Sequence, residues 1–165
     1  MPSSTAKRVV LYRFDRHPLE GIVNPVAFLL KDAVEFITLD GTLQNIAYND
    51  FKALCFVSET LRADLFSDHN LFERRPKVPG LWTRFIFRDG DCLDGILSHN
   101  LLDWPEAGFS VTPPRAGANR QKVFIPRAAL SRTELRGVVG TSGAPLAARR
   151  KAAAPEGDQL RMFER

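Results

Sequence analysis

The residues equipped for chemistry are few in this chain, and they stand apart. The three histidines, His17, His69 and His99, have no second His or Cys at metal-ligand spacing. The two cysteines, Cys55 and Cys92, lie in apolar runs without C-x-x-C spacing, and they read as small buried hydrophobes. No G-x-S-x-G, phosphate-loop or dinucleotide fingerprint occurs. The expectation is therefore a non-enzymatic binding protein without catalytic residues, metal or cofactor. Two groups of side chains suit binding. Arg74, Arg75 and Lys77, with Arg149, Arg150 and Lys151, form two basic clusters of a kind that contacts phosphates. Asp64, Asp68 and Glu73 dilute the first cluster. The stretch Gln159-Leu160-Arg161-Met162-Phe163 joins an amide to three apolar side chains, with Phe163 as an aromatic anchor for an apolar groove.

The elements that must position these residues announce themselves by repetition. At a constant offset of 74, Asp15 meets Asp89, Leu19 meets Leu93, Glu20 meets Asp94, Gly21 meets Gly95 and Ile22 meets Ile96. Internal repeats take precedence in assigning a fold, because they reset the domain count. Each copy reads as a β-hairpin with strands rich in Val, Ile, Leu and Phe. Asp89-Gly90 is a tight-turn signal, and Asp15-Arg16-His17-Pro18 reads as a longer turn. Gly21 and Gly95 fall inside strands, where glycine marks a sharp bend. Ala33 to Leu39 and Thr42 to Tyr48 flank Asp40-Gly41 as a second hairpin, and Ala53 to Val57 closes the first copy. In the second copy, Gly108 to Thr112 and Gln121 to Ile125 flank a loop. Pro126 to Leu130 reads as one helical turn, and Thr133 to Val139 as the last strand.

The expected fold is all-β: two tandem five-stranded small barrels over 7–58 and 81–140. A linker, 59–80, joins them, and a flexible tail, 141–165, follows. Five short strands with a one-turn helix before the fifth describe an SH3-like barrel. Each copy resembles the Sm/LSm-like small barrel of bacterial Hfq-type RNA chaperones, through Phe85 to Phe87, Asp89-Gly90, Leu93, Gly95 and Ile96. The whole chain resembles a group of bacterial two-barrel proteins carrying G-L-W-x-R and F-I-P-R-A-A-L, here Gly80 to Arg84 and Phe124 to Leu130. The family's base pocket uses an Asp and an Asn. Asn24 to Leu30 and Ser98 to Asp103 do not supply that pair, so the RNA site is not carried over. The peptide Gln159, Leu160, Met162, Phe163 resembles the motif by which bacterial proteins dock on the DNA polymerase sliding clamp.

Composition agrees with a soluble globular protein. Of the 165 residues, 44% are hydrophobic and 25% charged. Lys+Arg minus Asp+Glu is 23 − 19 = +4, too little for a histone-like electrostatic binder. No apolar run suggests a signal peptide or a membrane span, so a cytoplasmic protein with reduced thiols is expected. Arg84 and Arg88 alternate with Trp82 and Ile86, which reads as a strand face used in barrel–barrel or subunit packing, so a homo-oligomer is one expected state. The functional expectation is an adaptor in nucleic-acid transactions that docks through its terminal peptide, with the sliding clamp as partner. Direct RNA or DNA binding by the barrels, and a ligand-sensing or structural module, are the alternatives.

Overall fold

Turn chemistry and alternating apolar residues divide the described residues into ten short strands. The computed structural model describes residues 5–58, 65–67, 69–117 and 121–140. The first five strands are β1 (Lys7–Arg13), β2 (Arg16–Val23), β3 (Ala33–Thr38), β4 (Leu43–Ala47) and β5 (Phe51–Phe56). The second five are β6 (Gly80–Phe87), β7 (Cys92–Leu97), β8 (Gly108–Val111), β9 (Val123–Pro126) and β10 (Leu130–Val139). Single 3-10 turns, Tyr48–Asp50 and Arg127–Ala129, precede β5 and β10. The chain is all-β, with curled sheets that form a half-barrel. No helix among the described residues is long and apolar enough to cross a membrane.

The sequence repeat is also a repeat of strand pairing. Leu11 faces Leu19 and Lys7 faces Val23 in the first hairpin; Phe85 faces Leu93 and Leu81 faces Leu97 in the second, each pair shifted by 74. Ile22 faces Ile37, and its counterpart Ile96 bridges Thr112. Ala33 faces Ala47, as Gly108 faces Pro126. Leu11 faces Leu54, as Phe85 faces Thr133. The glycines follow the same rule. A Cβ on Gly21 would meet the Phe36 ring and the Ile37 carbonyl at 2.4 Å, and a Cβ on Gly95 would meet the Val111 side chain at 2.7 Å. A bare backbone is what lets β2 and β7 curl beneath the next strand.

The first turn is shorter than its sequence suggests. β2 begins at Arg16, and the turn is Phe14-Asp15 with Asp15 at φ 51°. A register shift between Leu11 and Arg13 places His17 and Pro18 in a bulge opposite Tyr12. Proline has no N–H to give a ladder, so a bulge is where it fits in a strand.

The two repeats are joined by a continuous sheet. β5 pairs with β9, placing Leu54 opposite Phe124 and Cys55 opposite Val123, and the strand order runs β4-β3-β2-β1-β5-β9-β8. The remaining strands form a sheet ordered β10-β6-β7. β1 and β5 therefore bury both faces. Val9, Leu11, Phe51 and Leu54 join one core with Val34, Phe36 and, from the second repeat, Phe124. Val10, Tyr12, Ala53 and Cys55 join the other with Phe85, Phe87, Leu93, Val123 and Ile125.

The connecting segment lies over the second hairpin. Asp94 is fully buried and accepts hydrogen bonds from Arg84 Nε (2.8 Å), Arg84 Nη2 (3.2 Å), Trp82 Nε1 (3.2 Å) and the Phe72 amide (3.1 Å). The Asp94 hydrogen bond holds the Arg84 guanidinium pKa above its ordinary value. Phe72 packs edge-on against Trp82. The Trp82–Arg84 face, expected to serve barrel or subunit packing, is thus engaged by the chain's own connecting segment. A buried carboxylate needs several donors, and this strand and this segment supply them.

Candidate functional site

A cleft of about 430 Å³ opens where the first hairpin, β4 and the β6–β7 turn meet. Arg13, Phe14 and Arg16 come from the β1–β2 hairpin, Gln44 and Asn45 from β4, Asn49 and Asp50 from the 3-10 turn, and Arg88 from the second repeat. The guanidiniums are held differently. Arg13 Nη2 and Nε donate to the His17 carbonyl at 2.9 and 3.2 Å, which stiffens the hairpin. Arg88 Nη2 donates to the Asn49 carbonyl at 2.9 Å, and its guanidinium carbon lies 4.5 Å from the Phe14 ring centroid. Arg16 is exposed at the rim. Three cations thus face one carboxylate, Asp50, in a cleft otherwise walled by amides and apolar groups.

The position of Arg88 depends on a clasp beneath it. Lys52 is 4% exposed, and its Nζ lies 2.7 Å from Asp89 Oδ2 and in contact with Asp91 Oδ2. The same ammonium stands 4.1 Å from the Phe66 ring centroid. A buried ammonium is tolerated only with such partners, and these come from the turn that carries Arg88. β5 of the first repeat thereby fixes the second repeat's turn at the cleft.

Chemically, the cleft offers guanidiniums for phosphate oxygens and amides for the hydrogen-bonding edges of bases. The Phe14–Arg88 stack adds a planar surface. A second groove of about 400 Å³ lies at the β5–β9 junction, lined by Phe28, Phe56 and Phe124 with Lys7 and Lys122 at its edge.

The basic residues singled out from sequence stand elsewhere. Arg74, Arg75 and Lys77 are exposed on the connecting segment and do not line the cleft, and Arg75 Nη2 donates to the Val138 carbonyl at 2.7 Å. Arg149, Arg150, Lys151, Gln159, Leu160, Met162 and Phe163 lie outside the described residues. The histidines are not brought together: His17 lies in β2, and His99 Nε2 sits 3.0 Å from the Val139 carbonyl. Among the described residues no three His, Cys, Asp or Glu side chains group as metal ligands. Cys55 is buried, as its apolar run suggests, whereas Cys92 is half-buried. The 98–104 loop satisfies itself, with Ser98 Oγ and Asn100 Nδ2 both donating to Asp103.

Arg13 and Arg16 were missed by sequence reasoning, and Arg88 was read as part of a packing face, whereas it lines the cleft. A signal was present: Phe14 and Arg88 occupy the same repeat position, the first residue of each hairpin turn. Their stacking joins the two turns.

The fold and cleft define an all-β repeat protein with a basic, amide-rich cleft. A family profile described as Family of unknown function (DUF6982) matches residues 5–137, and the chain belongs to that family. No curated protein and no solved structure matches it.

Proposed function

We propose that this chain is a non-enzymatic binding protein for single-stranded nucleic acid, built of two tandem Sm/SH3-like small barrels. The convergence of Arg13, Arg16 and Arg88 from both repeats on one amide-lined cleft carries the reading. The barrel description rests on five strands with a single helical turn before the fifth, occurring twice in one pairing order. Guanidiniums take the phosphates, Gln44 and Asn45 take base edges, and the Phe14–Arg88 stack supports a base. The lining has few groups suited to moving protons, which favours binding over turnover.

Anisotropy of a labelled oligouridylate and a labelled oligothymidylate, each across a salt series, tests this. Single-strand binding loses about 0.7 in log K per log salt for each neutralised phosphate. Three engaged arginines give a slope near −2, or about a twentyfold loss between 50 and 200 mM salt. Arg16→Ala removes about 0.7 of that slope. An affinity indifferent to salt, or a slope unchanged in Arg16→Ala, sinks the reading.

A second reading concerns delivery, and the sequence Gln159-Leu160-Arg161-Met162-Phe163 favours it. The peptide docks on a sliding clamp and makes the protein an adaptor in nucleic-acid transactions. Pull-down with purified clamp, with and without residues 158–165, tests it. Equal capture by the Phe163→Ala chain rejects it.

A further inference from the structure

The apolar groove at the β5–β9 junction lies between the loop after β2 and the loop after β7. Phe28 and Leu29 come from the first loop, and Asp103 and Pro105 from the second. Phe28 packs edge-on against Phe56 and Phe124, at 5.6 and 5.9 Å between centroids, so the floor is a fixed aromatic surface. Past Leu29 and Pro105 the groove continues into a wider trough of about 820 Å³ that reaches Tyr48 and Arg127. The rims are apolar as well. Val26 and Leu102, 87% and 93% exposed, adjoin the lining residues Pro25 and Asp103. Apolar surface gathered on one face and edged by charge marks an interaction site, and its elongated shape suits an extended segment.

We propose that the groove seats this chain's own residues 160–163, with Leu160, Met162 and Phe163 against the aromatic floor. The tether reaches. β10 ends at Val139, whose carbonyl meets His99 Nε2 at 3.0 Å. Four residues lead from His99 to the groove residue Asp103, at most about 14 Å of chain. From Gly140 to Leu160 is 160 − 140 = 20 residues, about 68 Å when extended. The groove therefore lies well within the range of the segment. The charges agree with the placement. Lys7 and Lys122 are exposed at the groove edge, and Asp103 lines it. Asp158 and Glu164 flank the apolar residues of the segment, and Arg161 lies among them. Two ammoniums thus have two carboxylates to meet, and Asp103 has a guanidinium. A tether of this length presents its segment at about 1 mM, so a peptide with a free Kd of about 0.1 mM occupies the groove about ten to one. Capture within the chain needs only modest contacts for that reason. It goes beyond the clamp reading, and it stands whether or not a clamp binds the same peptide.

Met1 and Met162 are the two methionines of the chain, so carbon-13 methyl-methionine labelling of the full chain gives one signal that reports on the segment. Ring currents of Phe28, Phe56 and Phe124 are expected to move the Met162 methyl upfield. Ser110→Glu and Lys122→Glu change exposed residues that line the groove, so neither touches a core. Each, like Phe163→Ala, is expected to return the signal toward its position in denaturant. A wild-type Met162 methyl already at that position overturns the proposal, as does a displaced signal indifferent to all three substitutions. A displacement that appears only as concentration rises puts a second copy's segment in the groove, and it overturns capture within the chain. Anisotropy of a labelled synthetic peptide of residues 156–165 measures the occupancy. The Phe163→Ala chain, its groove largely vacated, is expected to bind this peptide about tenfold more tightly than the wild-type chain. Equal affinity for the two chains, or binding to neither, overturns the proposal. Neither nucleic acid nor clamp enters these readouts, so the capture, the cleft and the clamp reading fail or stand separately.

Discussion

Replacing Asp94 by alanine removes the acceptor for four hydrogen bonds at once. The Phe72 amide and Trp82 Nε1 lose a buried partner, and each orphaned donor costs about 1–3 kcal/mol. The Arg84 guanidinium loses its counter-charge, and breaking a buried ion pair costs about 3–5 kcal/mol. Arg84 is 24% exposed and can turn toward water, which returns part of that cost. The expected net loss is about 3–5 kcal/mol, a large share of the roughly 5–15 kcal/mol that holds a domain folded. With a urea slope of about 2 kcal/mol/M, the unfolding midpoint falls by about 2 M. Asp94→Asn keeps one acceptor oxygen but points an N–H₂ at a donor, so its midpoint falls by about half as much. Urea titration followed by far-UV circular dichroism gives the midpoints, and tryptophan emission reports the surroundings of Trp82. An Asp94→Ala midpoint within 0.5 M of wild type (about 1 kcal/mol at this slope) refutes the reasoning.

Gly21→Ala forces a Cβ to within 2.4 Å of the Phe36 ring and the Ile37 carbonyl, so it is expected to cost 3 kcal/mol or more, whereas Gly137→Ala, with its nearest atom at 3.8 Å, costs about 1 or less; thermal melts of the two variants check the order. Phe124→Ala is expected to cost about 3–5 kcal/mol and to shift one single unfolding transition of the whole chain, because this second-repeat side chain fills the first repeat's core; two separated calorimetric peaks contradict it. Lys52→Met keeps the apolar stem and leaves Asp89 and Asp91, 30% and 52% exposed, to water, so it is expected within about 1 kcal/mol of wild type, whereas Lys52→Ala loses about 2–3 through the cavity; denaturant midpoints separate the two. Burial, then Asp32, raise the Tyr48 pKa above the ordinary tyrosine range, and the neutral hydroxyl donates to the Leu30 carbonyl at 2.6 Å. A raised folded pKa gives stability that is whole below about pH 10 and is lost as pH rises through the folded value, so the margin of wild type over Tyr48→Phe is expected to shrink above pH 10. A constant margin from pH 8 to 11 contradicts this.

Much of the fold was legible because it is written in short-range chemistry. Asp40-Gly41 and Asp89-Gly90 mark turns whose glycines take φ of +88° and +92°, which few other residues accept. The helical turn before the last strand was legible in Pro126 to Leu130 and is present at Arg127–Ala129. Gly21 and Gly95 were legible as bends within strands, and the structure shows that both lie under the next strand. The candidate cleft was not legible. Its residues are separated by up to 75 positions, from Arg13 to Arg88, and only the docking of the two turns brings them together. Basic clusters that are contiguous in sequence drew notice instead, yet Arg74, Arg75 and Lys77 lie along the outside of the connecting segment.

By itself, the sequence determined the strands, their turns and the existence of two related units, because hydrophobic alternation and glycine placement act over a few residues. It also placed the apolar residues of β1 and β5 inside, without saying in which core. The tertiary structure decided that β5 continues into β9, that Phe124 completes the other repeat's core, and that Asp94 rather than its counterpart Glu20 is the buried carboxylate. The reason is physical. An alternating strand pattern states which faces are apolar, but every strand has the same backbone donors and acceptors on both edges. Which edge meets which is settled only when the whole surface is packed, and that choice made the junction, the clasp at Lys52 and the cleft above it.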